Sequence, residues 1–135
     1  MTKAGAIFVN LPVRDLKKSK EFFSALDFEF NELYSDDKAA CLILGDNLYT
    51  MLLVEKFFKE FTRQEITDTR KANEVITAIT IGTKIEVDEL FAKAIKAGAK
   101  DKTTKIPGVD EDNMYYKRIE DLDGHLWELM MDMDN

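Results

Sequence analysis

Two residue types that often carry chemistry are scarce in this chain of 135 residues, which contains one histidine, His125, and one cysteine, Cys41. A single cysteine cannot form a disulfide within the chain, so nothing requires an oxidising compartment. No histidine lies near Cys41 in the sequence, and we expect a buried, inert thiol there. His125 follows the turn residues Asp123 and Gly124. We expect it to be solvated or bonded to that turn, and not to be a metal ligand or a base.

Long apolar runs and clusters of basic residues are also missing. No apolar run approaches the length of a membrane-spanning helix, and the N-terminus lacks the long apolar region of a secretory signal. Lys and Arg number 19 against 26 Asp and Glu, which gives a net charge of −7. That balance disfavours sequence-independent binding of nucleic acid. We therefore expect a cytoplasmic protein with no nucleic-acid or membrane partner.

Several common catalytic signatures are absent. The chain has no GxSxG, no P-loop and no GxGxxG sequence, so it lacks the local patterns of a serine hydrolase or a nucleotide-binding loop. Ser, His and Asp are present, but no spacing among them marks a catalytic triad.

The residues that are present repeat one order of elements: a strand, a helix, then further strands. Asp15 is placed to cap the first helix, and Gly98 is placed to end the second. Alternation of apolar residues and turn residues such as Asp123-Gly124 predict the strands. The predicted strands cover residues 6–13, 28–31, 39–44 and 48–54, and then 75–81, 115–119 and 126–131.

The repeat is visible residue by residue. Phe8 and Ile76 have the same separation as Phe23 and Phe91, and Thr50 aligns with Glu128 at a slightly larger one. We therefore predict an α+β fold of two βαβββ modules within one domain. The predicted boundaries are module one at 1–54, a linking helix or lid at 55–74, and module two at 75–135.

The linking segment differs from both modules because it is highly charged. Phe57, Phe58 and Phe61 are spaced to share one helical face. Two interpretations stay open: a connecting helix packed on the core, and a lid over a ligand site.

Three stretches of the chain resemble the vicinal oxygen chelate superfamily, which includes glyoxalases, extradiol dioxygenases, and bleomycin- and fosfomycin-resistance proteins. They are NLPVRDLKKSKEFFSALDF (10–28), VDELFAKAIKAGA (87–99) and MYYKRIEDLDGHLWELM (114–130). The match covers nearly the whole chain. It implies two βαβββ modules whose curled, mixed sheets surround a shared ligand cleft, and it implies no single reaction because the superfamily supports many.

The chain departs from the superfamily at two turns. Asp27 stands where relatives commonly have the glycine that follows the first helix, and Leu122 stands where many have proline. Asp adopts a left-handed backbone less readily than Gly, at a modest cost. Neither change is expected to alter the architecture.

The resemblance also implies where a metal would bind. Metal-dependent relatives take ligands from four strand positions, which correspond here to Phe8, Thr50, Ile76 and Glu128. Phe and Ile have no donor atom, Thr is a poor isolated ligand, and one carboxylate does not make a metal site. We therefore predict no metal and no cofactor. A shift of the alignment by one residue gives a set that is no better: Val9, Met51, Thr77 and Leu129.

Glu128 lies inside an otherwise apolar predicted strand. Alternation puts Trp127 on the face that packs under the helices and Glu128 on the face toward the cleft. A carboxylate removed from water needs a donor, a cation, a proton or residual solvent. Either Glu128 bonds Thr50, Asn10 or a tyrosine across the cleft, or it contacts a ligand or acts as a general base.

The predicted ligand site is mostly apolar with few polar groups, which is typical of small-molecule sites. Alternation selects its residues, and only one of two neighbouring tyrosines can face inward. The predicted lining residues are Phe8, Asn10, Leu48, Thr50, Leu52, Ile76, Ala78, Tyr115 or Tyr116, Glu128 and Met130, with Phe57, Phe58 and Phe61 as a cover.

We interpret the chain as a metal-free binder of an apolar or aromatic small molecule, of the glyoxalase/bleomycin-resistance type, that sequesters its ligand. A homodimer is expected because two small sheets leave edges to be paired. The first alternative is a metal-dependent lyase, isomerase or dioxygenase with Glu128 in the site. The second is a structural or regulatory module with an empty cleft. The sequence does not identify the ligand.

Overall fold

Two four-stranded sheets with the same strand order make up most of the fold. The computed structural model describes residues 1–110 and 112–133. The chain divides into two compact units, Met1–Ile66 and a second that begins at Thr67. Each unit holds one mixed sheet, and the described residues form two α-helices in the first unit and one in the second. The predicted α+β fold of two βαβββ modules is confirmed, and the last two residues of the predicted second module, 134 and 135, lie outside the described residues.

The elements of the first unit are β1 (Ile7–Val13), α1 (Leu16–Ala25), β2 (Glu29–Asn31), a short 3-10 turn (Glu32–Tyr34), β3 (Ala39–Gly45), β4 (Leu48–Val54) and α2 (Glu55–Thr62). The sheet order is β1-β4-β3-β2. The first and last strands in sequence, β1 and β4, are parallel neighbours, and the other neighbours run antiparallel.

The second unit repeats this arrangement. Its elements are β5 (Ile76–Gly82), α3 (Lys84–Lys96), β6 (Lys100–Asp101), β7 (Tyr116–Glu120) and β8 (Leu126–Met131). The sheet order is β5-β8-β7-β6. Again the first and last strands in sequence are parallel neighbours, and the remaining pairs are antiparallel.

Local signals explain where the helices begin and end. The Asp15 side chain accepts a hydrogen bond from the Lys18 backbone N–H at 3.1 Å, as predicted for the N-cap of α1. The helix α3 ends before Gly98, which has φ of +116°. Asp27 adopts φ of +69° at the position where relatives have glycine, so this turn keeps its left-handed conformation without one.

The helix α2 is shorter than the charged segment from which it was predicted. It ends at Thr62, and Arg63 follows in a left-handed conformation with φ of +56°. The helix contacts β1 and β4 of its own unit. No helix in the described part of the chain is long and apolar enough to cross a membrane.

One face of the second sheet is covered by α3. Trp127, Leu129 and Ile119 are each at most 2% exposed, and α3 contacts the strands that carry them. The Nζ atom of Lys117, on the same face, lies 5.2 Å from the ring centre of Phe91 in α3. The opposite face carries Glu128, as alternation predicted.

Candidate functional site

The strand pairing places Arg118 directly opposite Glu128. β7 and β8 are antiparallel, and these two residues are register partners. Because paired residues project to the same face of a sheet, the two side chains meet. Glu128 Oε2 accepts hydrogen bonds from Arg118 Nη2 at 2.7 Å and from Nε at 3.2 Å. Within the second unit, the partner of Glu128 is therefore an arginine on the neighbouring strand, which the sequence analysis did not name.

Arg118 is held in place from the other side by the segment that follows β6. Its Nη1 atom donates to Thr104 Oγ1 at 2.9 Å. The Tyr116 hydroxyl donates to the Thr104 carbonyl at 2.7 Å, and the guanidinium carbon lies 5.8 Å from the Tyr116 ring centre. That separation is within the range of a cation–π contact. The guanidinium thus has a restricted orientation before any ligand arrives.

The ion pair is partly desolvated. The side chain of Arg118 is 11% exposed and that of Glu128 is 17% exposed, so the pair is less screened than one on the open surface. Among the described residues, Thr50 Oγ1 is the one buried side-chain nitrogen or oxygen without a hydrogen bond. Glu128 Oε1 also receives no hydrogen bond from them, so it must be open to solvent.

Apolar side chains surround the pair on the same face. Ala78 is the register partner of Glu128 on β5, and Ile76 is the partner of Leu126. Met130 pairs with Tyr116 on β7. Ile76 is 48% exposed. The result is a partly buried charged pair beside accessible apolar side chains, with one carboxylate oxygen available. Glu120 and Lys100 form a second charged pair at one end of the same face.

The structure selects between the two predicted tyrosines. Tyr116 shares the face of Glu128, because Tyr116 and Arg118 are two residues apart on β7. Tyr115 is directed toward α3, where its hydroxyl bonds Asp88 and the Lys84 Nζ atom lies 4.7 Å from its ring centre. Tyr116 is therefore the tyrosine that belongs to the Glu128 face.

In the first unit, Phe8 and Asn10 share a face with Tyr49 and Met51, their register partners on β4. The rings of Phe8 and Tyr49 stack with centres 4.7 Å apart. Phe8 is 53% exposed. This face thus presents an aromatic pair. Alternation predicted Phe8 as a lining residue but did not predict Tyr49.

The prediction that three residues of β4 share the face of Phe8 is wrong. Thr50 is the register partner of Val9, so it lies on the opposite face, together with Leu52 and Leu48. Thr50 and Leu52 are both 0% exposed, and Leu48, the first residue of β4, is 46% exposed. The predicted alternation of side chains within β4 is correct, but the predicted pairing of β4 residues with β1 residues is wrong by one position.

The same shift changes the alignment of the two units. Phe8 pairs with Tyr49 and Ile76 pairs with Leu126, so residue 49 corresponds to residue 126. The counterpart of Glu128 in the first unit is therefore Met51, and Thr50 corresponds to Trp127. Both Thr50 and Trp127 are buried, which agrees with this correspondence.

The residues at the metal positions of the superfamily do not fit a metal ion. Phe8 and Ile76 have no donor atom, Met51 offers only a thioether, and one oxygen of Glu128 is already engaged by Arg118. Within residues 1–110 and 112–133, no group of three or more His, Cys, Asp and Glu is arranged to hold a metal. We therefore derive no chemical step through a metal at these positions.

The predicted cover residues lie on α2. The ring centres of Phe57 and Phe61 are 5.0 Å apart in an edge-to-face contact. Phe61 is 69% exposed, Phe57 and Phe58 are half-buried, and the Lys38 Nζ atom lies 5.7 Å from the Phe57 ring centre. Their role as a lid stays a prediction.

A buried aspartate fixes the turn between β7 and β8, and sequence reasoning missed it. Asp121 Oδ2 accepts from Trp127 Nε1 at 2.9 Å, and Oδ1 accepts from the backbone N–H groups of Asp123 at 2.9 Å and His125 at 3.0 Å. Burial raises the pKa of Asp121, while the charge of His125 and these donors oppose the shift. An Asp two residues before an Asp-Gly pair, as in the DLDG sequence at 121–124, is a recognisable turn signal. This turn sets the register that joins Arg118 to Glu128.

The two residues singled out for their scarcity are both structural. His125 is buried, at 8% exposure, and is bonded to its turn through the backbone, so the solvated alternative is wrong. Cys41 is 1% exposed, and burial raises the pKa of its thiol. The expectation of a buried thiol is confirmed, and its inertness stays a prediction that burial supports, since burial disfavours the thiolate.

Comparison with known proteins supports the resemblance noted from the sequence. Residues 6–45 match a family model described as bleomycin resistance protein-like N-terminal. No sequence among curated proteins gives a significant match.

Solved structures are similar over nearly the whole chain. A hypothetical protein from S. aureus has a TM-score of 0.78 and 28% identity, with 97% of this chain and 96% of that one covered. A glyoxalase/bleomycin resistance protein/dioxygenase family enzyme from Burkholderia phytofirmans has a TM-score of 0.74, 19% identity and coverages of 92% and 95%. A fosfomycin resistance protein from Listeria monocytogenes, complexed with Mn(II) and sulfate, has a TM-score of 0.71, 21% identity and coverages of 96% and 91%.

These likenesses identify the fold. The fold is that of the vicinal oxygen chelate superfamily, in its glyoxalase/bleomycin-resistance form, and the resemblance predicted from the sequence is confirmed.

Proposed function

We propose that the chain is a small-molecule-binding protein of the glyoxalase/bleomycin-resistance type that binds its ligand without a metal, on the sheet face of the second unit that carries Glu128. The observation that carries this proposal is the free Oε1 atom of a partly buried carboxylate set among apolar side chains. An apolar surface with one oriented polar group is the usual composition of a small-molecule site.

The composition of this face supports an apolar or aromatic ligand that also carries a hydrogen-bond donor. Ile76, Leu126 and Met130 supply apolar contact, and Glu128 supplies the acceptor. A hydrogen bond to a charged group contributes about 1.5–3 kcal/mol. Apolar contact adds about 25 cal/mol for each Å² removed from water. The acceptor thus orients the ligand, and the apolar residues supply most of its affinity.

The absence of oxygen and nitrogen donors at three of the four superfamily metal positions supports metal-free binding. Phe8, Met51 and Ile76 would offer a divalent cation no oxygen or nitrogen ligand. The similar fosfomycin resistance protein was solved with Mn(II), but that likeness concerns the fold. Elemental analysis of the purified protein should therefore show no stoichiometric zinc, nickel, manganese or iron. A stoichiometric metal in the wild-type protein that is lost in Glu128→Ala would contradict metal-free binding.

A second candidate is an enzyme in which Glu128 exchanges protons with its substrate. The free Oε1 atom favours it, because a general base needs an oxygen within reach of the proton it removes. Arg118 weighs against it, because the guanidinium already holds the carboxylate through two hydrogen bonds to Oε2. Binding therefore stays the preferred function. Catalytic turnover of a bound molecule would favour the enzyme instead.

The test of the binding function is Glu128→Gln, which keeps the size of the side chain. A thermal-shift screen of aromatic and apolar small molecules in the presence of a chelator should first yield ligands, since a ligand that binds only the folded state raises Tm. Glu128→Gln should weaken binding of those that donate a hydrogen bond by about 1.5–3 kcal/mol.

The matched control is Glu89→Gln, an exposed glutamate on α3, which should leave affinity unchanged. If Glu128→Gln leaves affinity intact and lowers Tm, Glu128 is only a structural acceptor. If it abolishes turnover while binding survives, the enzyme is the correct function.

We further propose that the chain pairs as a homodimer. β1 is an edge strand of its sheet, and Ile7, Phe8 and Leu48 beside that edge are 54%, 53% and 46% exposed. Edge strands and exposed apolar residues are commonly covered by a partner. Sedimentation should show a dimer at micromolar concentration, and a monomer there would refute this assembly.

A further inference from the structure

The Arg118–Glu128 pair offers a ligand a donor and an acceptor side by side. A guanidinium has five N–H groups. Three are used, two by Glu128 Oε2 and one by Thr104 Oγ1, which leaves two without a partner among the described residues. Glu128 Oε1 is the neighbouring acceptor and is likewise free. The pair therefore holds unused N–H donors and an unused carboxylate oxygen within one hydrogen-bonded unit.

The charge of the pair restricts what can bind there. A lone carboxylate favours a cation, and a lone guanidinium favours a carboxylate or phosphate. Here each charge is neutralised by the other at 2.7 Å. A charged ligand would leave one charge uncompensated in a partly desolvated site, which is costly. A neutral ligand would not.

The other charges on this face do not alter that balance strongly. Glu120 is 3.8 Å from Lys100 and 4.0 Å from Lys102. The two lysine side chains are 74% and 49% exposed, so solvent and salt screen them. The Glu120 side chain is 14% exposed, against 17% for Glu128, but its charge is paired with these two lysines. Glu128 is the register partner of Ala78 and shares a face with Met130, so the Arg118–Glu128 pair has the larger influence on a ligand bound over those two residues.

We infer that the site takes a neutral ligand whose apolar or aromatic body carries an amide-like edge, with an N–H donor beside a C=O acceptor. A carboxamide, a lactam or a ring with the same donor–acceptor order meets both Glu128 Oε1 and the free N–H groups of Arg118. Thr104 and Tyr116 keep the guanidinium in the orientation that this requires. The inference rests on the proposed function, because it specifies the ligand of the same site.

Three probes with the same ring test this class: benzamide, benzoate and benzylammonium, with toluene as the probe that lacks a polar edge. Dissociation constants are measured by NMR titration of the metal-free protein. Wild type should bind benzamide about tenfold more tightly than each of the others, which corresponds to about 1.4 kcal/mol.

Two variants should then change the order of affinity among the probes, each in favour of a probe of opposite charge. Glu128→Gln leaves Arg118 without its counter-charge, and benzoate should become the preferred probe. Arg118→Gln leaves the carboxylate alone, and benzylammonium should become the preferred probe. A merely structural ion pair would not produce opposite changes of preference. Glu89→Gln is the control and should keep the wild-type order. If Arg118→Gln fails to fold, Glu128→Gln decides the test by itself.

The outcomes separate this inference from the proposed function. If benzoate, benzylammonium or toluene binds wild type as tightly as benzamide, the amide-like ligand is wrong, while a small-molecule site on this face stands. If the variants fold and keep the wild-type order, the ion pair does not select the ligand. If none of the four probes binds up to its solubility limit, both the inference and the proposed site are overturned.

Discussion

The two units carry different side chains at corresponding positions of their two sheets. Across the first sheet, Met51 is flanked by Asn10 and Cys41. Across the second, Glu128 is flanked by Ala78 and Arg118. The backbone frame is common to both, yet one row is largely apolar and the other holds an ion pair. The comparison shows that this fold supplies positions, whereas the side chains placed there decide what can bind.

The helix-covered faces differ as well. Thr50 and Trp127 occupy corresponding positions, and each brings a polar hydrogen into the core. Trp127 Nε1 donates to Asp121 at 2.9 Å, whereas the buried Thr50 hydroxyl has no partner among the described residues. The buried polar group is therefore hydrogen-bonded in the second unit and unpaired in the first. Replacing it by an apolar group should lower the free energy of unfolding at Trp127 and raise it at Thr50.

The largest expected effect comes from breaking the ion pair. Arg118→Met leaves Glu128 partly buried without its counter-charge and should lower the free energy of unfolding by about 2–4 kcal/mol. The double variant Arg118→Met/Glu128→Met gives the second unit an apolar row like that of the first, and it should recover most of the loss. Chemical denaturation measures both. A double variant as unstable as the single one would show that packing, and not the unpaired charge, caused the loss.

The next effect concerns the turn that aligns the two strands. Asp121→Asn replaces one acceptor oxygen by an NH2 group, which would face either Trp127 Nε1 or two backbone N–H groups. The buried donors left unpaired should lower stability by about 1–3 kcal/mol. In a double-mutant cycle with Trp127→Phe, which removes one donor, the two losses should be less than additive. Strict additivity would mean that Asp121 and Trp127 do not interact in solution.

The smallest effect has the opposite sign. Thr50→Val replaces the unpartnered hydroxyl by a methyl group of similar shape and should raise the free energy of unfolding by about 1 kcal/mol. Thr77→Val, at a half-buried position of β5, is the matched control and should change stability little. A loss of stability in Thr50→Val would show that the hydroxyl is hydrogen-bonded in solution and that the two units are more alike than the comparison states.

Local sequence determined the elements and their repetition. Asp15 and Gly98 marked helix ends because capping depends on residues within one turn of chain. Alternation placed Trp127 and Glu128 on opposite faces, since side-chain direction within a strand has a period of two. These features depend on neighbours along the chain, so they could be predicted without a structure.

Tertiary structure decided which residues meet across strands. Thr50 was assigned to the wrong face because the offset between the parallel strands β1 and β4 is set by packing of distant segments, and a slip of one residue exchanges the faces. Arg118 was missed as the partner of Glu128, although both lie in one hairpin, because their register depends on how Asp121 closes the turn. The chemistry of the site rests on that register: the sequence contained both charges, and only the folded sheet brings Arg118 Nη2 to 2.7 Å from Glu128 Oε2.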